Sequence, residues 1–276
     1  MAAVRRATLG LIAAAVSLAA GTAASQPAPP QVGQVSKDSV WVPTSERMIR
    51  RMLQLADVTP DDLVVDLGAG DGRTPVYAAK HFGARAIGVE LEANLVGLSI
   101  ESAKAQGVSH LARFVQQDLF DFDLSGATVI ALYISPAVMT KLKPRLAGLK
   151  PGTRVVSHHF TLGEWEPDET VRVEDRTGYL WVVPADVRGV WTVTTTGDPL
   201  KVTIGQSHQR LTIEGERAGW EVPVIGARLR GTEIGFTSFD VDRSARQYRG
   251  RVEGGRMIGD SDVHGFQPLR WSAVRN

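Results

Sequence analysis

Between Thr44 and Pro184 the chain alternates two hydrophobic periods. From Thr44 to Ala56 the apolar residues Met48, Ile49, Met52, Leu53 and Leu55 recur at helical spacing, which predicts an amphipathic helix. Leu63 to Leu67 is a short apolar run ending in a glycine-rich turn, and reads as a strand. Helices are predicted over Pro75 to His81, Leu95 to Gln106 (closed by Gly107) and Val138 to Leu149. Strands are predicted over Ala86 to Val89, Phe114 to Gln116, Thr128 to Tyr133 and Arg154 to Ser157. A hairpin of Thr170 to Val173 and Tyr179 to Val183 completes the series. Strand–helix alternation of this kind implies a parallel sheet with helices on both faces, a Rossmann-like α/β fold.

The pattern changes after Pro184. Short alternating runs follow at Val190 to Thr194, Lys201 to Ile204, Arg210 to Ile213, Gly226 to Arg230 and Glu233 to Phe239. Gln247 to Val252, Arg256 to Gly259 and Leu269 to Val274 continue them, with turn residues between. Period-2 patterning without helices predicts a smaller all-β antiparallel C-terminal domain, either a small barrel or an open sheet. Trp165, Trp181, Trp191, Trp220 and Trp271 are expected in sheet cores. The division expected is a Rossmann-like domain over 37–186 and a β domain over 187–276.

The N-terminus is a separate matter. Arg5 and Arg6 precede an apolar run from Leu9 to Ala20, and Ala23-Ala24-Ser25 offers a cleavage site before Gln26. Residues 1–25 therefore read as a signal peptide and 26–36 as a linker, which predicts a periplasmic or secreted protein. The apolar run is short for a span of about 20 residues, so no stable membrane insertion is expected once the signal is removed. The composition adds exclusions. With 276 residues and a formal net charge of +1, the chain shows no electrostatic footprint for nucleic acid. It has no cysteine, which removes disulfides, thiol nucleophiles and thiolate metal sites. The histidines are scattered; His158 and His159 are adjacent on a strand and so point to opposite sides, a poor metal pair. One of them is a candidate for a substrate-side role.

The turn after the first strand, Asp66-Leu67-Gly68-Ala69-Gly70-Asp71-Gly72, carries the strongest chemistry. Glycines let backbone approach a ligand closely, and the following helix N-terminus offers free amides. A nicotinamide fingerprint places glycines at positions one, three and six. Here Arg73 takes the sixth place, and Asp66 stands before the first glycine. That acid would repel a pyrophosphate but suits a sulfonium with an amino-acid tail, so S-adenosyl-L-methionine is the expected cofactor, one made in the cytoplasm and so in conflict with export. Asp66, Gly68 and Gly70 form its cradle, with Asp71 beside them. Glu90, about 20 residues on at the end of the second strand, is placed to accept hydrogen bonds from both ribose hydroxyls. Asp118, just past the third strand, is placed to meet the adenine amino group.

These residues resemble the class I, Rossmann-like methyltransferases that use S-adenosylmethionine. More narrowly, the chain is similar to the lysine methyltransferases typified by the enzyme for the ATP synthase c subunit, distant relatives of the non-SET histone-lysine methyltransferases. The matching stretches are Val42-Pro43-Thr44, Asp66 to Arg73, Gly88-Val89-Glu90, Asp118-Leu119-Phe120, Leu132 to Pro136 and Leu149 to Ser157. The resemblance covers roughly residues 37 to 184 and implies methyl transfer to a protein lysine, hence a protein substrate and no nucleic acid. In methyltransferases acting on nitrogen, the loop after the fourth strand commonly carries an Asn or Asp with a proline and an aromatic. Here it reads Tyr133-Ile134-Ser135-Pro136, which argues against an amide or base nitrogen and makes Tyr133 and Pro136 the candidate catalytic residues. A non-catalytic S-adenosylmethionine-binding protein using the same pocket stays open. The sequence does not fix the oligomeric state.

Overall fold

The structure, a computed structural model, describes residues 42–195, 197–240, 244–263 and 267–276. The expected signal peptide and linker lie outside the described residues. No helix among the described residues is long and apolar enough to cross a membrane.

Helix α1 (Glu46–Leu55) begins where Ser45 caps it, its side chain accepting a hydrogen bond from the Met48 amide at 3.3 Å. It is followed by β1 (Leu63–Leu67), α2 (Arg73–Phe82), β2 (Arg85–Glu90), α3 (Ala93–Ala105) and β3 (Ala112–Gln116). Then come β4 (Val129–Leu132), α4 (Pro136–Ala147), β5 (Arg154–His158), β6 (Glu169–Val173) and β7 (Arg176–Val182). These strands form one sheet in the order β3-β2-β1-β4-β5-β7-β6, parallel from β3 to β5 and antiparallel at β7 and β6. The inner parallel strands β2, β1, β4 and β5 are buried on both faces, as their apolar runs require, while β3 at the edge is only partly covered. Met48, Ile49, Met52 and Leu53 of α1 pack with Ala78 of α2 against Val64, Val129 and Val156 on one face. Val138, Met139, Leu142 and Leu146 of α4 pack with Trp165 and Trp181 against Val65, Ile130 and Val155 on the other.

At the amino edge of this sheet an ion pair is drawn inside. Arg154 reaches Asp62 and also donates to the Ala56 carbonyl at 2.8 Å, tying β5 to the α1–β1 connection. Burial alone would raise the Asp62 pKa, but bonds from Thr59, Thr128 and Arg154 outweigh it and hold the carboxyl below its usual range.

Close approach decides one position in β2. Gly88 lies opposite both Asp66 and Phe114, and a Cβ there would stand 2.5 Å from Phe114 Cδ1 and 2.9 Å from Ala69 Cβ. Neither neighbour can retreat without moving the β3 ring or the glycine turn. Gly88→Ala is therefore expected to cost about 1–3 kcal/mol from overpacking, read as a lowered calorimetric Tm. Phe114→Leu in the same chain should return part of that loss; an unchanged Tm in Gly88→Ala would show that the ring yields freely.

The second sheet holds β8 (Gly189–Thr194), β9 (Leu200–Ser207), β10 (Arg210–Arg217), β11 (Trp220–Val222) and β12 (Val224–Arg230), then β13 (Glu233–Phe239), β14 (Ala245–Glu253), β15 (Arg256–Val263) and β16 (Leu269–Arg275). Their order is β11-β10-β9-β8-β16-β15-β14-β13-β12, all antiparallel. The last strand pairs with the first, so the meander closes on itself. Its two edges, β11 and β12, are consecutive strands divided by Pro223, which has no amide to give a ladder. A Cβ on Gly215 of β10 would lie 2.7 Å from Val224 of β12, so the edges sit side by side and the sheet is a nearly closed barrel. Inside it Phe236 stacks on Tyr248 at 4.7 Å and Trp271 meets Tyr248 edge-on at 5.6 Å. The indole lies over the Gly250–Gly259 pair, donating to the carbonyls of Arg249 and Asp260 at 3.1 Å.

Trp165, Trp181, Trp191 and Trp271 are buried as expected. Trp220 is not: it is 73% exposed at the start of β11, a three-residue edge strand, although it shares a face with the buried Val222. The barrel seats against the amino edge of the first sheet. The Ala185 amide donates to the Gly231 carbonyl at 2.8 Å, and Gly231 lies against Gly152 and Val182. Arg210 pairs with Glu166 at 2.5 Å, Arg230 pairs with Glu169, and His208 stacks on Trp165 at 4.9 Å.

Candidate active site

The carboxyl edge of the parallel strands bears a pocket. It is lined by the β1–α2 turn, the ends of β2 and β4, the segment after β3 and residues 42–44. In the turn Gly68, Gly70 and Gly72 have φ of +79°, +57° and +76°, a region closed to most side chains. The Gly68 and Ala69 amides donate to the Val89 carbonyl at 2.9 and 3.0 Å, and the Gly70 amide donates to Glu90 Oε2 at 2.8 Å. Glu90 Oε1 accepts from the amides of Leu91 and Glu92 at 2.8 and 3.0 Å. One carboxylate thus clamps the glycine turn to the end of β2 while facing the pocket.

Asp66, next to last in β1, is 6% exposed. Burial first, then the Glu90 carboxylate beside it, pushes its pKa up to about 7, against a hydrogen bond from Thr74. Asp71 also lines the pocket and is gripped by Arg73, whose Nε and Nη2 reach it at 2.9 and 2.6 Å. Asp118 Oδ1 accepts from the Phe120 amide at 3.0 Å and lines the same space. Beyond β4, Tyr133 and Ile134 form an apolar wall, with the Tyr133 ring 4.0 Å from that of His158 and 6.2 Å from that of Phe160.

The fold thus brings together Asp66, Gly68, Gly70, Asp71, Glu90, Asp118 and Tyr133. Pro136 stands apart: it is the first residue of α4, after Ser135, and does not line the pocket. Thr44 and Arg73 line it too, although no motif reading singled out either as a site residue. Arg73 Nη1 donates to the Thr44 carbonyl at 3.0 Å, drawing the segment before α1 over the turn.

The donor set fits a compact cationic adenosyl ligand. Four carboxylates line the pocket, at Asp66, Asp71, Glu90 and Asp118, against a single guanidinium, Arg73, already committed to Asp71. Such a rim favours a sulfonium and an ammonium and opposes a phosphate chain. None of the lining residues comes from the described part of the barrel.

A family model described as the ANTKMT methyltransferase domain matches residues 66–169, ending before the second sheet begins. The chain is 43% identical to a protein-lysine N-methyltransferase of Saccharolobus islandicus (strain REY15A), over 52% of this chain and 92% of the relative. It is 36% identical to the adenine nucleotide translocase lysine N-methyltransferase of Mus musculus, over 58% of this chain and 69% of the relative. A crystal structure of an RNA methyltransferase from Salinibacter ruber, in complex with S-adenosyl-L-homocysteine, superposes with a TM-score of 0.52 at 48% identity. That match covers 53% of this chain and 96% of the other.

Proposed function

Because the chain belongs to the ANTKMT family of S-adenosylmethionine-dependent methyltransferases, we propose that it methylates the amine of a protein lysine. The observation that carries this reading is the identity to a protein-lysine N-methyltransferase across nearly that enzyme's whole length. Glu90 is assigned to the ribose, Asp118 to the adenine amino group, and Asp66 with the glycine turn to the methionine portion. When bound, S-adenosylmethionine supplies an electrophilic methyl group. The chain's own contribution is alignment and exclusion of water at the Tyr133–Ile134 wall, the main demands of methyl transfer. The acidic rim draws in an ammonium, whose proton passes to solvent before the amine becomes a nucleophile.

The Salinibacter ruber protein raises RNA as a second acceptor class. The carboxylate rim and the chain's net charge of +1 weigh against it, since RNA binding rests on phosphate neutralisation. The test supplies methyl-tritiated S-adenosylmethionine to the full chain with total bacterial protein and, separately, total RNA. Label is expected in protein, with mass spectrometry placing the added methyl groups on lysine. Label confined to RNA, or to a protein residue other than lysine, would overturn the assignment.

A further inference from the structure

β5 ends in a residue that packing does not demand. His158 pairs through its backbone with Gly178 of β7, and its ring is 5% exposed. An aliphatic side chain would fill this space without polar atoms. The imidazole instead carries two nitrogens inward. Nδ1 is hydrogen-bonded to Thr44 Oγ1 at 3.1 Å, while Nε2 is buried with no partner among the described residues. A buried polar group left unpaired costs about 1–3 kcal/mol, so the ring serves something besides the core. Burial first, then the positive charge of Arg176, brings its pKa down to about 4, and the ring is neutral at neutral pH.

Both neighbours of this ring belong to the pocket. Thr44 lines it, and its carbonyl is fixed by Arg73, which also grips Asp71 in the glycine turn. Tyr133 lines it at the end of β4, its ring tilted 36° against the imidazole. An unbroken line of contacts therefore joins the turn to the acceptor wall through Arg73, Thr44, His158 and Tyr133. Its middle members sit on rigid supports, Thr44 just before the capped start of α1 and His158 inside a paired strand.

We propose that the Thr44 hydroxyl anchors the His158 imidazole through Nδ1, and that His158 is the positioning residue that orients Tyr133 for methyl transfer. A fixed neutral ring restricts the tyrosine through an aromatic contact and adds no positive charge beside a sulfonium. The proposal rests on methyl transfer with Tyr133 at the acceptor wall. It does not depend on lysine as the acceptor, so it stands or falls separately from that reading.

The experiment uses the full chain and its Thr44→Val, Thr44→Ser and His158→Leu variants. Valine keeps the shape of threonine and replaces the hydroxyl with a methyl; leucine fills the His158 site without an aromatic ring. Nitrogen-15 spectra of the histidine rings, with His158 assigned by its loss in His158→Leu, are expected to show a hydrogen-bonded Nδ1 in the wild type and in Thr44→Ser. In Thr44→Val that signal should shift to an unbonded position. Calorimetric affinity for S-adenosylhomocysteine should stay within about threefold in all variants. Turnover of the acceptor found by tritium labelling should fall about tenfold or more in Thr44→Val and His158→Leu, and recover in Thr44→Ser; tenfold is about 1.4 kcal/mol in the barrier. An Nδ1 signal unchanged between the wild type and Thr44→Val would overturn the anchor, whatever the acceptor. So would parallel loss of binding and turnover in Thr44→Val, which marks a mere wall residue. Unchanged turnover in His158→Leu would remove His158 from the positioning role.

Discussion

Glu90→Gln is expected to weaken S-adenosylmethionine binding about 100-fold or more, measured by calorimetry on the full chain. The reason lies in what the carboxylate already does. Its two oxygens accept from the amides of Gly70, Leu91 and Glu92, which occupies three of roughly four lone-pair directions. The ribose is left the remaining direction, so the same side chain shapes the cradle and meets the ligand. Glutamine has one acceptor oxygen, and its amide would turn donors toward donors. Either the glycine turn or the ribose then loses its partner. Bonds to a charged group are worth about 1.5–3 kcal/mol each, and losing one or two accounts for the expected fall at 1.4 kcal/mol per decade. Asp118→Asn is the comparison, since that side chain caps its own loop through the Phe120 amide and no part of the turn hangs on it. Its loss should be smaller, about tenfold. Wild-type affinity in a folded Glu90→Gln chain would remove Glu90 from the cofactor site.

How far the sequence shows this site depends on how far apart the contacting residues are. The glycine turn and its acids sit at the ends of short apolar strands, and a parallel sheet places successive strand ends on one edge. Asp66, Glu90, Asp118 and Tyr133 could therefore be read locally and fall together. Thr44 and His158 touch across 114 residues, and Arg73 reaches back 29 residues to Thr44; nothing local signals either contact. Pro136 shows the converse error. A proline beside the acceptor loop looks like part of it, yet proline also suits the first position of a helix, and here that demand prevails. In the second half the period-2 runs match eight of the nine strands, missing the short β11, and leave the choice between barrel and open sheet unmade. Pairing of β8 with β16 spans most of the barrel's length, and short-range alternation carries no register for it. Trp220 shares a face of β11 with the buried Val222, so alternation places it inward; it is exposed because it opens a three-residue edge strand, and alternation carries no signal for how far a strand stays covered. Among the described residues the barrel does not roof the pocket: its contacts fall at Gly152, Val182 and the Trp165–Glu169 segment.

Asp66→Asn is expected to raise the Tm of the free protein at pH 8 while weakening S-adenosylmethionine binding about tenfold or more. Burial and the neighbouring Glu90 carboxylate lift the Asp66 pKa from 3.8 to about 7. The stability contributed by its neutral form is fully present below pH 3.8, and is lost as pH rises through about 7. At pH 8 the free chain therefore holds an ionised, buried carboxylate beside a second one, a destabilisation of order a few kcal/mol. Asparagine keeps the shape and removes the charge. At about 2–4 °C per kcal/mol for a chain of this size, the gain should be several degrees, and should vanish near pH 4. Binding runs the other way. A cation stabilises the carboxylate, so below about pH 7 the cofactor binds only as Asp66 releases its proton. Wild-type affinity should rise as pH increases from 5.5 to 7, by up to about tenfold per unit, and flatten above; Asp66→Asn should show no such slope. Calorimetric titration across that range and melting curves at pH 4 and 8 measure both arms. A flat wild-type affinity, with a variant no more stable than its parent at pH 8, would mean that Asp66 is ionised without cost and that the pocket is not strained toward a cation. If the two slopes appear together, the instability of the free pocket and its affinity have one origin: two buried carboxylates held close, each destabilising the other until a positive ligand lies between them.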